Sequence, residues 1–99
     1  MLYAFIGQDA PDSLQRRLAA RPAHLARVEA LVAGGRIALA GPFPAVDAEQ
    51  PGEAGFTGSL IVAEFPDLAS ATEWAAGDPY VTSDVFAAWE VRPFRQVFP

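Results

Sequence analysis

The chain has no cysteine and no lysine, and its 99 residues include one histidine and one methionine. Without thiols there are no disulfides, cysteine nucleophiles, zinc-finger sites or thiolate-bound clusters. Without lysine, all seven side-chain cations apart from the histidine are arginines, set against twelve carboxylates for a net charge of -5. A surface of that sign repels phosphate backbones and anionic lipid, so neither nucleic acid nor a membrane surface is an expected partner. No apolar run approaches the roughly 20 residues of a membrane span. The opening MLYAFIGQDAPD also lacks the basic start of a secretory signal, so a cytoplasmic protein is expected. There is no phosphate-cradling glycine loop, and one histidine without cysteine makes no dedicated transition-metal site. No metal and no cofactor are expected.

What is present suffices for one domain, residues 1–99. The hydrophobic fraction is 52%, but twenty of those residues are alanine, so bulk must come from Leu, Ile, Val and the aromatics. LYAFIG (2–7), RIALAGPF (36–43) and SLIVAEF (59–65) read as strands, and VFAAWEVRPFRQVF (85–98) as a long last strand with Pro93 at an edge or bulge. Asp9 and Asp12 are candidate N-caps for a helical segment over 11–20, with Asp12 and Gln15 resembling a capping box. Pro22 lacks the amide hydrogen of a helix interior and suits a first helical position, which predicts that one helix ends near Arg21 and another begins at Pro22. Its stripe of Leu25, Val28, Leu31 and Val32 runs to the Gly34-Gly35 cap. Residues 44–58, rich in proline, glycine and acid, read as an exposed connection, and Pro66-Asp67 opens a helix that Gly77 stops.

The order β-α-β-β-α-β, with the first helix in two pieces, closes into a ferredoxin-like α+β sheet with both helices on one face. Strands 1 and 3 are apolar on both faces, because Leu2, Ala4 and Ile6 alternate with Tyr3 and Phe5, and Leu60 and Val62 with Ile61 and Ala63. Two helices cover one face only. A second copy packed sheet to sheet is the simplest cover for the other, so a homodimer is expected.

His24 is the one side chain that ordinarily titrates near neutral pH, which makes it the first candidate for acid–base work. In the first turn of a helix starting at Pro22, the dipole would disfavour its imidazolium form. Equally, it fits a half-buried residue packing beside Val28. Asp78, between Gly77 and Pro79, is the best-placed acid partner, or a plain Asp-Pro turn. Arg16, Arg17, Arg21 and Arg27 crowd the first helical region and could receive an anionic group, with Arg21 singled out by its nearness to His24, or they are plain helix-face charges. Gly41-Pro42 breaks the second strand where backbone could approach a ligand, or marks a bulge.

Together, RPAHLARVEALVAGGRIALAGPF, FPDLASATEWAAGDPYV and the terminal VRPFRQVF resemble the YCII-related (YciI-like) family over nearly the whole chain. The resemblance is most specific at Arg21-x-x-His24, Gly41-Pro42 and Asp78-Pro79-Tyr80. It implies a dimeric α/β barrel, a His-Asp site at His24 and Asp78, and, in one branch, elimination of chloride from a chlorinated hydroxyquinone. The resulting expectation is a small cofactor-free enzyme in which His24, oriented by Asp78, moves a proton on a small ring-shaped or carbonyl-bearing substrate, with Arg21, Gly41, Pro42 and Tyr80 forming the binding wall. The alternative is a non-catalytic dimeric module that binds a small ligand or partner protein.

Overall fold

Short β-branched and aromatic runs form four strands in the computed structural model, which describes residues 1–99: β1 (Leu2–Asp9), β2 (Ile37–Pro44), β3 (Phe56–Glu64) and β4 (Phe86–Phe94). They pair antiparallel in the order β2-β3-β1-β4. Each helical connection thus spans a strand inserted later or earlier in the chain, which is the ferredoxin-like α+β arrangement. Three helices fill the connections: α1 (Leu14–Ala33), α2 (Leu68–Ala76) and α3 (Pro79–Thr82). None is long and apolar enough to cross a membrane.

The expected break at Pro22 does not occur. α1 runs unbroken through it, because Arg17, Ala20, His24 and Leu31 lie on one continuous buried stripe that the two halves share. An interior proline costs about 3 kcal/mol, and packing the whole stripe on the sheet offsets that loss. Ser13, rather than Asp9 or Asp12, is the N-cap residue of α1, and its side chain makes no capping bond. Asp12 instead takes a left-handed turn at φ 56°, and Asp9 ends β1.

Two other boundaries differ from the sequence reading. β4 ends at Phe94, which pairs with Leu2, so residues 95–98 have no strand beside them to extend the ladder. The connection after β2 is shorter than expected, because β2 reaches Pro44 and β3 begins at Phe56, with one 3₁₀ turn at Gly52–Ala54 between them. Gly41 and Pro42 do not interrupt β2; they pair with Leu60 and Ser59, and the register shifts fall on either side of them. The proline is tolerated because β2 is an edge strand.

Beneath the helices, Tyr3 and Phe5 of β1 and Ile61 and Ala63 of β3 pack against Ala20, Leu31, Ala71 and Ala75. Phe5 is met edge-on by Phe86 and Trp89 at 5.9 Å and by Trp74 at 6.3 Å. Each such pair adds about 0.5–1.5 kcal/mol beyond area burial. The register puts Leu39, Phe43 and Phe94 on the opposite face, where they are 53%, 42% and 41% exposed.

Candidate active site

Asp78 is the hinge of the site. Following Gly77, it is the N-cap of α3 and its Oδ1 accepts from the Tyr80 backbone N–H at 2.9 Å. Both of its oxygens also lie within reach of His24 Nδ1, at 2.9 and 3.0 Å, and Oδ2 accepts from Arg27 Nη1 at 3.2 Å. The carboxylate is wholly buried. A buried carboxylate needs such donors, and three of them surround this one.

That environment sets the tautomer of His24. A carboxylate only accepts, so Nδ1 carries the hydrogen and, in the neutral ring, Nε2 carries the lone pair. Nε2 bonds to nothing in the chain, yet no buried side-chain polar atom lacks a partner, so Nε2 opens onto solvent-accessible space. The space is a cleft of about 500 Å³ between α1 and the β2–β3 edge of the sheet, of the size ligand sites usually have. Because α1 is unbroken, His24 sits mid-helix, and the expected influence of a helix N-terminus on its ring does not apply.

Tyr80 stacks on the imidazole with ring centroids 3.9 Å apart and planes 13° from parallel. Burial pushes its phenol above the ordinary 10.0, with the positive charges of Arg17 and Arg21 pulling the other way. Its hydroxyl therefore stays protonated through the neutral range and can donate.

Of the four arginines that crowd the first helical region, Arg17, and not the singled-out Arg21, is the one the fold buries at the site. It is buried, gripping Asp9 through Nε at 2.8 Å and Nη2 at 2.7 Å, while Nη2 also donates to Ser59 Oγ at 3.0 Å. Its guanidinium lies 4.7 Å from the Tyr80 ring centre and 5.3 Å from that of Phe56. The available signal was its place three and seven residues before Ala20 and His24, an arginine on the apolar stripe of a helix.

Of the residues singled out from sequence, His24, Arg21, Gly41, Pro42 and Tyr80 line the cleft together. Asp78 lies behind the imidazole rather than in the wall. Arg21 is exposed and makes no side-chain bond within the chain, whereas Arg17, Ser59 and Phe56, which were not singled out, also line the wall. No carboxylate lines it.

Fold and cleft together define a small α+β protein that presents one face of a clasped imidazole to a ligand-sized cavity. The chain belongs to the YCII-related domain family, whose pattern matches residues 1–95. It is 53% identical over 98 residues to Protein YciI of Escherichia coli O6:H1, covering 99% of this chain and 100% of that protein. An uncharacterized protein of Haemophilus influenzae is 51% identical over 98 residues, again 99% of this chain and 100% of the relative. Among solved structures, 5-chloro-2-hydroxyhydroquinone dehydrochlorinase (TftG) of Burkholderia phenoliruptrix, in complex with 2,5-dihydroxybenzoquinone, superposes with a TM-score of 0.83 at 29% identity, over 96% of this chain and 94% of that one.

Proposed function

We propose that this protein is a cofactor-free acid–base enzyme that eliminates from, or isomerises, a small oxygen-bearing ring compound. The observation behind this reading is the clasp on His24, which pins Nδ1 to a buried carboxylate and leaves the Nε2 lone pair facing the cleft. Such an arrangement keeps one nitrogen oriented as a base while the carboxylate stabilises the imidazolium that forms. In an elimination from the keto tautomer of such a ring, Nε2 takes a proton from a saturated carbon or a hydroxyl, the electron pair of the broken bond moves in as a new double bond, and the leaving group departs with its own bonding pair. The imidazolium then returns its proton to water. The dehydrochlorinase activity of the structural neighbour supports an elimination of this kind.

Arg21, at the cleft's exposed side, would attract an anionic group, and Gly41, Pro42 and Tyr80 would bound the ring. We also propose a homodimer in which the sheet faces carrying Leu39, Phe43 and Phe94 cover each other. The test is chloride release from 5-chloro-2-hydroxyhydroquinone, together with solvent deuterium exchange into its unhalogenated counterparts, which detects proton abstraction without a leaving group. His24→Ala and Asp78→Asn are expected to lose at least about a hundredfold in rate. A fully active His24→Ala protein would sink the reading.

The same clasp supports one second reading, a ligand-binding module in which Asp78 merely ties α1 to α3. In that case Asp78→Asn lowers the melting temperature while ligand affinity stays level and no turnover is found with any ring substrate.

A further inference from the structure

Arg17 has more hydrogen-bonding capacity than Asp9 and Ser59 consume. Its Nε and Nη2 are taken by Asp9 and Ser59, and what remains of the guanidinium is turned to the Tyr80 hydroxyl, whose ionisation it eases. Arg17 and Tyr80 both line the cleft, so a ligand oxygen there meets the guanidinium and the phenol together. Ser59 Oγ receives one hydrogen from Arg17 and makes no other bond, so its own hydrogen is free to donate. Tyr80 also lines the cleft, and its hydroxyl, protonated through the neutral range, has no acceptor in the chain. Three donors thus gather on one stretch of wall that contains no carboxylate.

We propose that Arg17, Ser59 and Tyr80 form an oxyanion subsite for a phenolate or enolate oxygen. This deepens the acid–base reading, because it says where the charge goes. When Nε2 of His24 removes a carbon-bound proton, the electron pair left behind delocalises onto a conjugated carbonyl oxygen, which becomes the anion that Arg17 receives. Loss of a leaving group, or return of the proton at another carbon, consumes that pair. Asp9 holds two of the three guanidinium nitrogens in place, so the charge meets a donor already oriented and needs no rearrangement. The flanking rings of Phe56 and Tyr80 suit a flat, conjugated ligand over an aliphatic carboxylate.

The binding step can be tested apart from turnover with 4-nitrophenol, whose phenol and phenolate forms differ in absorbance. The wild type is expected to bind the phenolate preferentially, so that bound nitrophenol is more ionised than free nitrophenol at the same pH. 4-Nitroanisole, which has no ionisable oxygen, is expected to bind at least about tenfold more weakly, and so is 4-nitrobenzoate. Tyr80→Phe and Ser59→Ala should each cost roughly tenfold in phenolate affinity. Arg17→Gln alone strands a buried Asp9, so the paired variant Asp9→Asn with Arg17→Gln carries the test, with an expected loss of about thirtyfold or more. Phenolate binding and turnover are both read on the wild type, which separates this proposal from the catalytic one: both present supports both, and binding without any turnover sinks only the enzyme. No phenolate binding by the wild type, equal binding of 4-nitroanisole or 4-nitrobenzoate, or an unchanged affinity in the paired variant overturns the subsite.

Discussion

Replacing Asp78 with asparagine exchanges one carboxylate oxygen for an NH₂ group at the point where α1 and α3 meet. The retained carbonyl oxygen can still accept from the Tyr80 N–H, and asparagine caps a helix about as well as aspartate, so α3 survives. The other oxygen becomes an NH₂ that faces two donors, Arg27 Nη1 at 3.2 Å and His24 Nδ1 at 3.0 Å, while His24 keeps the retained oxygen at 2.9 Å, now a neutral carbonyl in place of a carboxylate. A hydrogen bond to a charged group is worth roughly 1.5–3 kcal/mol. The Arg27 side chain is 27% exposed and recovers much of its share from water, whereas His24 at 9% does not. The net cost is therefore about 2–3 kcal/mol, from the charge assistance that the His24 bond loses, the part of the Arg27 bond that water does not restore, and an NH₂ set against two donors. For a domain of this size that is a fall of roughly 8–24 °C in Tm. Thermal melts give the magnitude, and imidazole ¹⁵N shifts of the single histidine give the cause, because the wild type should show the hydrogen on Nδ1 and the variant a mixture of tautomers. A loss below about 1 kcal/mol together with unchanged ¹⁵N shifts would refute the clasp.

Pro22→Ala restores an amide hydrogen to the interior of α1 at an exposed position, so stability should rise by about 1–2 kcal/mol, part of the cost of an interior proline; a urea titration showing a loss would mean that the proline's curvature is what seats the helix. Burial raises the Tyr80 phenol above 10.0 in the fold, so the unfolded chain ionises first and stability present below pH 10 should drain away as pH rises through the folded value; in Tyr80→Phe that alkaline loss should largely vanish in melts taken from pH 9 to 11. Asp67 is held below its ordinary 3.8 by the backbone N–H of Ser70 at the start of α2. The stability it contributes is present above 3.8 and lost as pH falls through the folded value, and Asp67→Ala should remove that acid dependence and speed amide exchange at Ser70. Gly58→Ala puts a methyl group against the Gly7 carbonyl across the β1–β3 ladder, where only backbone could yield. Expression should give little folded protein, as judged by circular dichroism.

The topology was legible because its signals are local. Apolar runs such as LYAFIG and SLIVAEF, and stops such as Gly34-Gly35 and Gly77, place strands and helix ends within a few residues. Pro22 misled for the same reason: local preference opposes a continuous helix, and the sheet that overrules it is distant in sequence. The ends of β4 depend on where β1 begins, which no property of residues 95–98 discloses. At the site, His24 drew attention by being the one imidazole and Asp78 by its glycine and proline neighbours, but their contact joins residues 54 apart. The turn position of Asp78 made it the candidate acid partner, and the family resemblance, rather than periodicity, named the two as one site. Arg17 was not told apart from Arg16, Arg21 and Arg27 because an arginine on a helix usually faces water, and its burial rests on Asp9 of β1, Phe56 and Ser59 of β3 and Tyr80 of α3, three separate parts of the chain.

The two sides of the cleft differ in how freely they can change. On the helical side, Asp78 caps α3, orients His24 and anchors Arg27, so any replacement chosen to alter chemistry also unlatches the fold. On the other side, β2 is an edge strand whose residues from Ala38 to Pro44 are largely exposed and bonded to one neighbour only. A protein built this way can acquire a new substrate by rewriting one border while its reactive nitrogen stays where it is. Libraries randomised at Ala40, Pro42 and Phe56 are therefore the economical place to look for altered selectivity.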